Sequence, residues 1–250
     1  MGEHSATGTA PKRLAIVQPC YIPWKGYFDL IGLSDEFVIL DDVQYAKNTW
    51  YNRNRLKSPA GLKWLTLPVL RSGPSFKPIN EVGIADGWAR KHLDFIAQNY
   101  RKAPYFDDFF QKLEKTYENA EKSTSLLEID RIFIDFFCRE LDIRTPIVLS
   151  SQIGAEGRSS QRVLDICIKR KADIYLSGPA AQTYLDLEKF AEAGIAVEWM
   201  DYSGYREYPQ LHGAFEHAVS IIDLVLNTGP EAAGYLKSGR RPGGGDDRHE

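Results

Sequence analysis

Residues 173–202, DIYLSGPAAQTYLDLEKFAEAGIAVEWMDY, decide the fold. DIYLSG (173–178) is a short apolar run closed by glycine, AAQTYLDLEKFAEAG (180–194) follows a helical period, and IAVEWMDY (195–202) is apolar again. Strand, helix and strand within so few residues is the βαβ unit, whose two strands lie parallel in one sheet. Upstream, TPIVLSSQ (145–152) and SQRVLDICIKRKA (160–172) repeat the strand and helix rhythm. Near the start, RLAIVQP (13–19) and EFVILDDV (36–43) read as buried strands around a helix in WKGYFDLIGLS (24–34). KWLTLPV (63–69) alternates as one more strand, giving about six short strands for an open sheet. Helices are expected over 86–103, 106–123 and 126–143, with Asp86 and Asp107 as N-caps, and over 213–229. The expected class is therefore α/β: an open, Rossmann-like, doubly wound and mainly parallel sheet with a helical insert or cap at about 86–143.

At 250 residues with 43% hydrophobic content, the chain can bury a sizeable core. One α/β domain is expected over 13–237. Residues 1–12 and 238–250 are rich in Gly, Pro, Ser and charge and are expected to be disordered. Thirty-four acidic against 31 basic residues leave no overall positive field, so a nucleic-acid partner is not expected. Three widely separated cysteines form neither a disulfide framework nor a zinc motif, and no apolar run reaches membrane length. The expectation is a cytoplasmic protein with a small-molecule substrate and no resident metal.

In an open parallel sheet the ligand crevice lies beyond the carboxyl ends of the strands, which directs attention to the loops at 18–26, 41–57, 150–161 and 177–182. The first, QPCYIPWKG, brings Gln18, Tyr21, Trp24 and Lys25 to the start of a helix, where free N–H groups favour an anion. Tyr21, Trp24 and Trp50 have the composition of a platform for a base or a sugar ring. In NRNRLK (52–57), Arg53 and Arg55 point the same way on an extended chain and make a fork for a diphosphate or carboxylate, with Asn52 and Lys47 beside them. Arg158 with Ser159, and Ser177 with Gly178, open two further loops suited to an anion. Asp41 and Asp42 end the second strand, either as a base and its orienting partner, with Mg²⁺ as an ion they can bind, or as turn caps. His92 is read as an interfacial histidine, with general base as the alternative.

The motifs QPCYIPWKGYF, FVILDDVQYAKNTWYNRNRLK, GLKWLTLPV, ADIYLSGPAAQTYLD and SIIDLVLNTG together resemble the WbqC-like family, which is associated with O-antigen, other surface-polysaccharide and natural-product clusters. The resemblance runs over most of 13–235 and implies a role in sugar modification. PWKGYFDLI is more distantly similar to the nucleotidylyltransferase and pantothenate-synthetase superfamily, but Trp24 and Tyr27 stand where those enzymes place two histidines.

The two resemblances together imply an enzyme that forms an amide between an activated or nucleotide-linked amino sugar and a small acyl or aminoacyl group, from a free acid with ATP and Mg²⁺ or from a carrier thioester. A non-catalytic sugar-nucleotide binder and a nucleotidyl- or glycosyltransferase are the alternatives.

Overall fold

The computed structural model describes residues 10–70 and 77–240. Strands β1 (Arg13–Val17) and β2 (Glu36–Ile39) flank helix α1 (Lys25–Gly32). A hairpin, β3 (Arg53–Ser58) and β4 (Gly61–Thr66), precedes three helices, α2 (Ala89–Tyr100), α3 (Phe106–Ala120) and α4 (Leu126–Glu140). Then come β5 (Ile147–Leu149), α5 (Ser150–Ile153), α6 (Ser159–Lys169), β6 (Ile174–Ser177), α7 (Leu187–Glu192), β7 (Ala196–Trp199) and α8 (Ile221–Thr228). Five strands form one sheet in the order β5-β2-β1-β6-β7, and every pairing in it is parallel. The chain is thus an α/β protein with a Rossmann-like sheet.

Alternation along the strands builds a core on each face. Ala15, Phe37, Ile39 and Leu176 face one core, shared with α1, α8 and the insert α2–α4. Leu14, Ile16, Val38 and Tyr175 face the other, which α6 and α7 cover. Burial on both faces explains why these strands read as continuous apolar runs rather than alternating ones.

Three local expectations change. KWLTLPV does not join the main sheet, because Gly61, with φ +90°, turns the chain straight back and pairs β4 antiparallel with β3. The hairpin buries Leu56 and Leu65 in the insert-side core. Neither Asp86 nor Asp107 is an N-cap: α2 begins after Trp88 and α3 after Tyr105, with Asp107 inside the first turn. The last helix starts at 221 rather than 213, where Ser220 Oγ accepts from Ile222 N at 3.3 Å.

Most of the disorder expected for 1–12 and 238–250 lies outside the described residues. Within them, Lys12 Nζ pairs with Glu36 at 2.8 Å. At the other end, the backbone N–H groups of Lys237 and Ser238 donate to the buried Asp29 carboxylate at 3.0 and 2.7 Å, and the Tyr205 hydroxyl donates to the same group. The C-terminal segment is thereby fastened to α1. Among the described residues, no helix is long and apolar enough to cross a membrane.

Candidate functional site

From β1 the chain steps through β2 to β5 in one direction, then returns to place β6 and β7 on the other side of β1. Where the order reverses, the loops leaving β1 and β6 diverge to opposite faces and leave a crevice. A cavity of about 490 Å³ lies there. Gln18, Pro19 and Cys20 from the first loop and Gly178, Pro179 and Ala180 from the second line it. Trp24, Tyr27, Trp50, Tyr51 and Tyr202 wall it, with Val17, Leu30, Asn54 and Ala218 completing the lining. Its size and aromatic walls are those of a small-molecule site.

Local constraints hold these walls. Trp24 is the residue before α1, and its indole lies across Gly26, where an added Cβ would stand 2.3 Å from Trp24 Cζ2. Its ring centroid is 4.9 Å from that of Tyr202. Trp50 is pinned to the first loop because Tyr21 N donates to its carbonyl at 3.1 Å. Ile22 takes φ +39°, a strained conformation for a β-branched residue, and the Asn54 amide donates to its carbonyl at 3.0 Å and to that of Tyr21 at 3.2 Å.

Among the described residues, no charged side chain lines the cavity. Along β3 the faces alternate, so Asn54 turns toward the cavity while Arg53 and Arg55 share the opposite face. The fork expected from NRNRLK therefore exists, but outside the cavity. Arg53 stacks over Trp64 at 4.2 Å, and Arg55 lies 5.5 Å from Trp50 and 5.7 Å from Trp64. Arg55 Nη2 donates to Ala218 O at 2.9 Å, which brings it to the cavity rim, and the Nε of each arginine is buried without a partner.

Lys25 opens α1 but is enclosed, at 3% exposure. Its Nζ has no hydrogen-bond partner among the described residues and lies 4.6, 5.4 and 5.6 Å from the rings of Tyr205, Tyr208 and Phe215. Burial lowers its pKa to about 8 against the opposing pull of Asp29, Asp223 and Glu207. It is not at the cavity surface.

The other expected residues separate. Asp41 is a cap: its carboxylate accepts from Ser151 N at 3.0 Å, Ser151 Oγ at 2.7 Å and Asn80 Nδ2 at 3.1 Å at the start of α5. Asp42 forms an ion pair with Arg162, and its other oxygen meets the Ser150 hydroxyl at 2.6 Å. Both carboxylates are engaged within the protein. His92 is interfacial, with Nδ1 at 2.8 Å from the Tyr21 hydroxyl and a pKa lowered to about 4 by burial. Tyr21 is fully buried, packed edge-on against Trp88 and Phe133, so its ring is closed to stacking on a ligand. Asn52 is also internal and donates to Leu67 O at 2.9 Å. Lys47, Arg158 and Ser159 are exposed and outside the lining. Ser177 is buried, with its hydroxyl 3.0 Å from that of Tyr175.

What remains at the cavity surface is neutral. The Gln18 amide and the Tyr51 and Tyr202 hydroxyls make no hydrogen bond to described residues, and burial raises both phenol pKa values, that of Tyr202 to about 12. Burial likewise raises the Cys20 thiol, which stays protonated and poorly nucleophilic. An ATP triphosphate fits this lining poorly, because it would bury charge with no cation in the wall. Among the described residues, no group of three or more His, Cys, Asp or Glu converges as a metal site. Sequence reasoning passed over Tyr202 and Ala218. Tyr202 follows the last strand's carboxyl end, a signal the crevice rule could have used; Ala218 sits in a segment read as helix.

A family model described as "WbqC-like protein family" matches residues 18–235. A protein of Mycobacterium tuberculosis, "Uncharacterized protein Rv1507c", is 42% identical over 228 residues, covering 90% of this chain and 98% of that protein. No solved structure gives a significant match.

Proposed function

The chain belongs to the WbqC-like protein family, and from that premise we propose that it is an enzyme of polysaccharide or natural-product biosynthesis that forms an amide on an activated amino sugar. The observation that carries the reading is the ring-walled cavity at the reversal of strand order, with two indole-stacked guanidinium groups on the hairpin beside its rim.

In this reaction the amine lone pair attacks the carbonyl carbon of an activated acyl donor. The C–N bond forms, the bond to the leaving group breaks with its electron pair departing on sulfur or oxygen, and the amine proton is taken up by that leaving group or by water. With Asp41 and Asp42 both engaged elsewhere, catalysis rests on holding the two reactants in contact. Arg53 and Arg55 keep donors free for phosphate oxygens at the mouth.

The test is product formation. Purified protein is incubated with UDP- and dTDP-amino sugars and with either an acyl-CoA panel or free acids plus ATP and Mg²⁺, and sugar amides are sought by mass spectrometry. A sugar amide formed by wild type and reduced at least tenfold in Arg53→Ala/Arg55→Ala supports the proposal. No amide with any pairing refutes it. The engagement of Asp41, Asp42 and His92 within the protein favours a second reading, a sugar-nucleotide binder without turnover, which predicts binding of the same nucleotide sugars with no product.

A further inference from the structure

We infer that the cavity receives the acyl half of the reaction, as an uncharged and largely apolar group, while the phosphate-bearing part of its carrier stays outside on Arg53 and Arg55. This rests on the reading of the protein as an amide-forming enzyme.

Three observations lead here. First, among the described residues the lining side chains with unused polar capacity are all neutral: the Gln18 amide, the Tyr51 and Tyr202 hydroxyls and the Trp24 and Trp50 indole N–H groups. The Asn54 amide is already engaged with the carbonyls of Tyr21 and Ile22. An amino sugar brings several hydroxyls and an amine, and burying them against so few partners leaves polar groups unpaired. One acyl carbonyl, by contrast, needs one or two donors, which Gln18 and a tyrosine supply.

Second, the rings of Trp24, Trp50 and Tyr202 flank the space, and flat or chain-like apolar groups gain most from such walls. Third, charge is excluded inside and collected outside. Arg53 and Arg55 lie on the opposite face of β3 from Asn54, and Arg55 reaches the rim at Ala218. A thioester of a phosphate-bearing thiol, such as an acyl-CoA, matches this division: its acyl group enters and its phosphates remain with the guanidinium groups. The sugar amine then approaches from the mouth.

Tryptophan fluorescence reads the cavity directly, because Trp24 and Trp50 form its walls. The chain is titrated with benzoyl-CoA, octanoyl-CoA, CoA alone and UDP-glucosamine, and each ligand is then tested as a competitor of the others. The expected result is that at least one acyl-CoA binds about tenfold or more tightly than CoA, the gain of burying a ring or chain, and that UDP-glucosamine does not displace it. A cavity-filling Ala180→Phe variant, checked for folding by circular dichroism, should lose that gain and keep the affinity for CoA.

Acyl-CoAs binding no tighter than CoA overturns the inference. Displacement of the acyl probe by UDP-glucosamine also overturns it, by assigning the cavity to the sugar, and leaves the amide-forming reading intact. Absence of amide product with every donor defeats that reading, independently of where the acyl-CoA binds. The wild-type titrations decide the matter even where the filled variant misfolds.

Discussion

Lys25 should make the protein more stable as the solution becomes alkaline, and the effect can be worked from its surroundings. Its ammonium is buried at 3% exposure with no hydrogen-bond partner among the described residues, held by three rings and by the more distant charges of Asp29, Asp223 and Glu207, with the His217 ring acting on it electrostatically. Burial lowers the folded-state pKa from 10.5 to about 8. Between those values the unfolded chain binds the proton and the folded chain does not, so folding stability rises with pH across that window. The full penalty, about 3 kcal/mol, is present below pH 8 and disappears above 10.5. Integrated from pH 7 to 9.5, the recovered stability is about 2 kcal/mol. Urea unfolding of wild type and Lys25→Met at several pH values in that range isolates the term, because the titration of other groups cancels in the difference. The wild type should gain about 2 kcal/mol relative to the variant by pH 9.5. A difference that stays constant with pH would show that Lys25 titrates normally and that its aromatic enclosure is open to water.

Two further outcomes are expected. Asp130 is wholly buried on α4 with neither carboxyl oxygen hydrogen-bonded, and burial raises its pKa well above 3.8. The folded state therefore holds this proton to higher pH than the unfolded chain, and stability is lost as pH rises from about 4. Asp130→Asn should be increasingly stabilised relative to wild type as pH rises above about 4, as read from urea midpoints; parallel curves would refute this. Gly26→Ala would place a Cβ 2.3 Å from the Trp24 ring, forcing the indole out of the cavity wall. Ligand affinity should fall by about tenfold while helix content is unchanged, because alanine favours the helix that the clash disturbs; unchanged affinity would mean that Trp24 does not shape the site.

The sheet was legible because its strands are buried on both faces and read as uninterrupted apolar runs, RLAIV and EFVI among them. The strand-end rule then brought attention to Gln18, Trp24, Trp50 and Gly178, all of which line one cavity. The hairpin misled, since KWLTL carries a strand pattern whichever sheet it joins, and only the tight turn at Gly61 decides its partner. The direction of Arg53 and Arg55 relative to each other followed from the period of two. Their direction relative to the cavity depended on which face of the hairpin met the core. Asp41 and Asp42 carry no mark in the sequence separating a cap from a base; the serines that engage them lie more than a hundred residues away in the chain.

The clasp between Asp29 and the C-terminal segment bears on how the chain matures on the ribosome. The helix that begins at Lys25 is made early, yet its buried carboxylate meets its backbone donors only 208 and 209 residues later. Until those residues emerge, folding the first helix into place would bury that charge without them. The first helix is thus fastened by residues synthesised more than two hundred positions later, and products that end before residue 237 lack both backbone donors to Asp29.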